Sequence, residues 1–330
     1  MEARVETALR MFEINLPGAS GTFTRALYAN GRQQCKVEIR IIKVTRSAPG
    51  QDWVEVPLTT AERESATLVS YSFNEKETLP ERWYCDKVKN SFNTGLWQQG
   101  LEEFVESEQP EKDAGPEPFI STIDLYLRCD SSRPVVAQRF MGKITVDGKV
   151  YTTKFSEGAL TFHSSVVVHP TKPYVLNGGA LIRSDAEVYK SAALTIHMYY
   201  WALPGGLSAL EELALEGDIT LSPGGQAGAR VVYSSEVFRH VQASVLRFNE
   251  VSPKAVVRNV FRLNYPGAQN LKFDINRHPY KMRVACYIGS VPAQPPEQLI
   301  DTHWKVVDSF GCEHSFILKL NDITAAPVLE

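Results

Sequence analysis

The sequence is poor in the signatures that mark common enzymes. None of its 330 residues form a G-x-S-x-G nucleophile elbow, an H-E-x-x-H zinc helix, a Walker A loop or a G-x-G-x-x-G turn. Those absences lower the standing of serine hydrolases, zinc peptidases and nucleotide-dependent enzymes, although triads assembled from distant residues stay open. No cofactor is expected. Cysteine is scarce as well: Cys35, Cys85, Cys129, Cys286 and Cys312 are odd in number, far apart and without a C-x-x-C pair. That spacing argues against a disulfide framework and a zinc ribbon, and predicts reduced, buried thiols. No N-x-S/T sequon occurs. No apolar run approaches the roughly 18 residues of a membrane-crossing helix. Charge of one sign never accumulates: the 35 basic residues are dispersed and the net charge is -3, so a nucleic-acid partner is not expected. The opening Met1-Glu2-Ala3-Arg4-Val5-Glu6 is charged where a signal peptide would be apolar. The expectation is synthesis in the cytoplasm without a cleaved signal, with non-classical export left open.

What is present is an ordinary globular composition, 43% hydrophobic and 22% charged, at a length that favours two or three domains. Period-two alternation recurs throughout. Val37-Glu38-Ile39-Arg40-Ile41, the stretch from Ile123 to Cys129, Leu271 to Asn276 and Phe316 to Leu320 each put apolar residues on one face, as half-buried antiparallel strands require. Ser165 to Val168 and Val256 to Phe261 are β-branched runs suited to buried strands. Asp147-Gly148 between two such runs predicts a tight hairpin. Asn30-Gly31, Asn177-Gly178-Gly179 and Pro223-Gly224-Gly225 read as further turns. Helix signals are confined to a capping box at Thr59 to Glu62 and a candidate helix from Leu207 to Glu216, closed by Gly217. The fold class expected is all-β, mainly antiparallel, with tandem β-sandwich domains of immunoglobulin-like or jelly-roll-like type and one or two short helices.

The proline- and acid-rich stretch at 107–118 reads as a linker between a domain at 1–106 and a second at 119–252, with a third at 253–330 packed beside the second. Phe12 to Ala19 and Phe261 to Ala268 share an F-x-[I/L]-N-x-P-G-A pattern, open to reading as a duplicated β domain or as one strand exit used twice.

Three clusters invite functional reading. Tyr199, Tyr200 and Trp201 run into the Pro204-Gly205-Gly206 turn, where they either present aromatic faces to a partner, glycan or membrane or cap the core. Asp301, His303, Cys312, Glu313 and His314 supply metal-ligand types within fourteen residues, with His303, Cys312 and His314 as the ligands if two strands bring them together. Trp83, Tyr84, Cys85 and Trp97 flank a polar stretch from Asn90 to Asn93, as a second aromatic rim or as core anchors. His163, His169 and His197 read as surface or satisfied imidazoles, and Glu102 to Glu108 as a solvated linker face. The leading functional expectation is a non-enzymatic interaction, structural or assembly protein. It would meet a protein or glycan surface, or another copy of itself through exposed sheet edges. A glycan- or membrane-binding, toxin-like module using the aromatic turn is the first alternative, and a metal-dependent enzyme the second.

Overall fold

A computed structural model of the chain describes residues 5–17, 19, 21–97, 119–130, 136–157, 160–216, 219–220, 228–235, 239–248, 252–261, 270–275, 281–290, 302–321 and 326–330. It forms two compact units, Met1–Pro173 and Tyr174–Glu330.

Unit 1 contains β1 (Glu6–Asn15), β2 (Phe23–Thr24), β3 (Cys35–Arg46), β4 (Val54–Val56), α1 (Thr60–Ser65), β5 (Thr67–Ser70) and β6 (Trp83–Asp86). It continues with β7 (Ser121–Cys129), β8 (Gln138–Val146), β9 (Lys149–Thr152), β10 (Ser156–Glu157), β11 (Leu160–Thr161) and β12 (Val166–Val168). One sheet runs β1-β3-β7-β6 with β4 on β3; the other runs β2-β12-β8-β5 with β9 on β8. Alternation does its work here. Val37, Ile39 and Ile41 from the first sheet and Leu68, Phe140 and Ile144 from the second join one buried core, the inner layer of a β sandwich. Gly142 lets β8 approach β1 closely, since a Cβ there would lie 2.8 Å from the Ile14 side chain.

The Asp147-Gly148 hairpin forms as expected, joining β8 to β9 with φ of 49° and 75°, the two positive values of a type I′ turn. The Thr59 capping box also forms: its hydroxyl accepts from Glu62 N–H, while the Glu62 carboxylate accepts from Thr59 N–H. Glu62 further takes both Lys43 bonds, at 2.8 and 2.9 Å. A helix of only six residues is thereby fixed onto β3.

Unit 2 contains β13 (Ile182–Lys190), β14 (Leu194–Ala202), β15 (Ala209–Glu216), β16 (Ile219–Thr220), β17 (Gly228–Ser235) and β18 (Arg239–Leu246). It is completed by β19 (Lys254–Val256), α2 (Val257–Val260), β20 (Lys272–Asp274), β21 (Met282–Gly289), β22 (Thr302–Asp308), β23 (Glu313–Leu320) and β24 (Pro327–Leu329). A six-stranded sheet, β13-β14-β21-β18-β17-β16, accompanies a four-stranded one, β15-β22-β23-β24. β17 touches both β22 and β23, and Arg183 of β13 donates to the Pro327 carbonyl of β24. On one face of the larger sheet, Ile196, Met198, Tyr200, Ala285 and Tyr287 bury with Val257, Phe261 and Phe273.

Strand pairing crosses both expected domain divisions. β3 pairs with β7 across the 107–118 stretch, which itself lies outside the described residues, and β18 pairs with β21 across 252/253. A sandwich is closed by strands far apart in sequence, so an acidic, proline-rich segment reads as an excursion from a sheet as readily as a tether. Two local expectations are also corrected. Leu207 to Glu216 forms no helix: Ala209–Glu216 is β15, bulged twice against β22. Conversely, the β-branched run after Val256 makes the turn of helix α2. In both, pairing and packing overrode weak local propensity. The second copy of the Phe-x-x-Asn pattern, past Phe261, lies outside the described residues; Phe12 sits within β1 whereas Phe261 follows α2. Pro223-Gly224-Gly225 and Gly217 also lie outside them. Among the described residues no helix is long and apolar enough to cross a membrane.

Candidate functional site

The aromatic run before Gly205 is inside the protein. Tyr199, Tyr200 and Trp201 are 6%, 0% and 4% exposed, so their faces are not offered at a rim. The following turn does form, with Leu207 N–H on the Pro204 carbonyl and positive φ at Gly205 and Gly206. Tyr200 points into the core shared with Phe261. Tyr199 and Trp201 point the other way, their ring centroids 6.2 Å apart. Burial pushes the Tyr199 hydroxyl up to about 12.

The expected metal trio does not converge. His303 pairs with Ile317, and Val306 with His314; His303 and Val306 are three positions apart along β22, an odd offset that sets His303 and His314 on opposite faces of the sheet. Asp301 lies outside the described residues. His314 is fully buried and committed on both ring nitrogens: Nδ1 accepts from Leu176 N–H at 3.1 Å, so Nε2 carries the proton and donates to Asp308 at 3.0 Å. The Asp308 carboxylate also accepts from the N–H groups of Phe310 and Cys312 and from the Tyr174 hydroxyl. These are the bonds of a structural carboxylate closing the β22–β23 turn. No group of three or more His, Cys, Asp or Glu side chains suited to a metal occurs among the described residues.

Thiolate chemistry is equally remote from three of the cysteines. Burial pushes Cys35 and Cys286 up to about 12, and burial with the nearby Asp130 charge pushes Cys129 up to about 11, so all three are neutral thiols near pH 7.

The feature with the build of a recognition site is a cleft of about 760 Å³ in unit 1, lined by Arg32, Gln34, Asp86, Lys87, Lys89 and Arg128 among others. Strand alternation creates its wall. Trp83 turns inward onto Phe140, ring centroids 4.8 Å apart, and Tyr84 therefore turns outward, 41% exposed. The Arg128 guanidinium lies 4.2 Å over the Tyr84 ring, donates to Asp86 at 2.8 Å and reaches the Gly31 carbonyl.

Two buried glutamines lock the loops. Gln33 accepts from Tyr28 N–H and donates to the carbonyls of Asn93 and Gly95. Gln34 donates to Asp86 at 2.8 Å and to the Val88 carbonyl, and accepts from Asn90 N–H. Asn30 caps the turn through Arg32 and Gln33 N–H, and Gly31 supplies its positive φ of 73°. Two segments about 55 residues apart in sequence are thus one fixed frame.

Four cations and one carboxylate, Asp86, line this frame. Asp86 is already bonded by Gln34 and Arg128. Lys87 donates to the Ala66 carbonyl, and burial lowers its ammonium from the ordinary value. Lys89 and Val88 project from the rim, Val88 at 76% exposure. The Cys85 thiol in the wall is pushed up, chiefly by burial, and is no thiolate near pH 7. The charged lining of the cleft is mainly cationic. Tyr84 and Trp97 mark this region in the sequence, but Gln33, Gln34 and Arg128 carry no motif. Only their pairing partners reveal them.

No protein-family model matches the chain, and no curated protein matches it. Among solved structures, the C-terminal domain of the Streptococcus agalactiae AgI/II polypeptide BspA aligns with 96% of this chain and 98% of its own, at 8% identity and a TM-score of 0.21. The C-terminal domain of the Streptococcus pyogenes antigen I/II-family protein AspA aligns with 100% and 99%, at 8% identity and a TM-score of 0.21. Function is therefore read from the chain's own residues.

Proposed function

We propose that the chain is a non-enzymatic interaction protein whose first sandwich binds an acidic segment of a partner protein in the cleft around Arg32, Lys89 and Arg128. The observation that supports this reading is the glutamine lock. Gln33 and Gln34, 0% and 3% exposed, hold the cationic loops in place before any partner arrives, so little ordering entropy remains to be lost on binding. Binding residues concentrate on loops positioned by a rigid scaffold.

The test is a fluorescence-anisotropy titration of the full chain with a labelled glutamate-rich peptide. Saturable binding that weakens with salt is expected. Lys89→Glu, an exposed change, is expected to weaken it about tenfold, the equivalent of about 1.4 kcal/mol. Absence of saturation, or identical affinity in Lys89→Glu, overturns the proposal.

A further inference from the structure

A second surface of unit 1, made of residues outside the cleft, carries a different arrangement. Tyr71 is gripped between two cations: the Arg139 guanidinium lies 4.0 Å from its ring centroid and the Lys154 ammonium also lies 4.0 Å from it. Lys154 is in turn 3.4 Å from the centroid of Phe73. The order Arg139, Tyr71, Lys154, Phe73 is therefore an alternating stack of cation and ring. Its last member, Phe73, is 82% exposed, the highest value of any large apolar side chain described.

The stack is built on fixed backbone. Tyr71 N–H donates to the Arg139 carbonyl at 2.9 Å, and Arg139 Nε donates to Ser165 Oγ at 2.9 Å. The loop bearing Phe73 is turned by Ser72 and Asn74, which accept from Asn74 and Lys76 N–H, and is closed by Ser70 N–H on the Thr78 carbonyl. Next to Lys154, Thr153 is tied to Gly142 through N–H on carbonyl. Neither Arg139 nor Lys154 forms an ion pair among the described residues, although Glu75 and Glu77 follow in the same loop. Two cations thus meet solvent with aromatic faces as their neighbours, and a large ring is held out in water by an ordered turn.

We propose that this stack is a binding site for an acidic sugar, a pyranose bearing a carboxylate. The exposed Phe73 ring matches the C–H face of a pyranose, while the Lys154 ammonium against it and the Arg139 guanidinium beyond Tyr71 offer the carboxylates of successive uronate rings two cations along one surface. A uronate carries its apolar face and its charge on one rigid ring. An acidic peptide must bring the two from separate flexible side chains and order both.

The experiment is calorimetric titration of the full chain with tetragalacturonate, with neutral maltotetraose and tetraglutamate as comparators. Tetragalacturonate is expected to bind at least tenfold more tightly than maltotetraose, and tetraglutamate, whose site is the cleft, is expected to bind unchanged in Phe73→Ala. Phe73→Ala and Arg139→Gln are each expected to weaken tetragalacturonate binding about tenfold while the urea midpoint stays unchanged. Should Phe73→Ala unfold, Phe73→Leu keeps the apolar contact with Lys154, removes the ring face and is expected to show the same loss. Lys89→Glu in the cleft is expected to leave sugar binding intact, which separates this site from the acidic-peptide site. Tetraglutamate binding that weakens in Phe73→Ala as sugar binding does, no saturable heat with tetragalacturonate, or full affinity in both Phe73 variants overturns the proposal.

Discussion

Asp308 shows what a single residue can organise. Its carboxylate, 0% exposed, is surrounded by the Phe310 and Cys312 amides, the Tyr174 hydroxyl and the His314 ring. Asp308→Ala would take the shared acceptor away from a turn in which Cys312 and His314 are both 0% exposed, and a buried donor that loses its acceptor costs about 1–3 kcal/mol. The expected result is a loss of at least about 3 kcal/mol in unit 2, read as a lower urea midpoint at unchanged slope. The sequence points near this cluster but not at its centre. Dense ligand types drew attention to His303, Cys312 and His314, whereas Asp308 stands in no motif. Strand parity separates His303 from His314, and parity follows from the register between β22 and β23, which no local pattern states. At the cleft, likewise, Tyr84 is legible as an exposed aromatic, but Gln34 gains its role only from Asp86, Val88 and Asn90, more than fifty residues on.

Elements whose signals are local were legible. Asp147-Gly148 forms its hairpin because both residues tolerate positive φ, and Thr59 with Glu62 caps α1 because the reciprocal bonds lie within four residues. The strands at Val37 and Ile123 follow their alternation. β15 does not: Leu210-Glu211-Glu212-Leu213 suits a helix, yet Glu212 instead accepts from Trp304 Nε1 and Arg247 Nε, at 2.9 Å each, contacts set by distant strands. Helix α1 carries a pH dependence. Burial alone would raise the Glu62 carboxyl, but the bonds from Lys43 and Thr59 outweigh it and hold the group below its ordinary value of 4.5. A lowered carboxyl contributes stability that is complete above the unfolded value and is lost as pH falls through it toward the folded one. The urea midpoint of the wild type is therefore expected to drop more steeply below about pH 5 than that of Glu62→Gln. Parallel pH profiles would contradict the assignment. The terminal strand β13 is guarded rather than bare: Arg183, Asp185, Glu187 and Lys190 line it, and a bulge interrupts it between Glu187 and Tyr189. These features blunt an edge against further pairing.

At the scale of the molecule, each unit has its own buried core and its own sheets, which is the condition for folding alone. Fragments 1–173 and 174–330, expressed separately, are each expected to be soluble and to melt cooperatively. An aggregated or non-cooperative 1–173 fragment would refute this. The bonds that hold the start of unit 2 bear on order in time as well as in space. Leu176 reaches His314 and Tyr174 reaches Asp308 across 138 and 134 positions of chain. At a synthesis rate of about 5–20 residues per second, roughly 7–28 s pass between the making of Leu176 and of its partner. Through that interval unit 1 is complete and free to fold, while the first turn of unit 2 waits, hydrated, for the β22–β23 turn to arrive and close it.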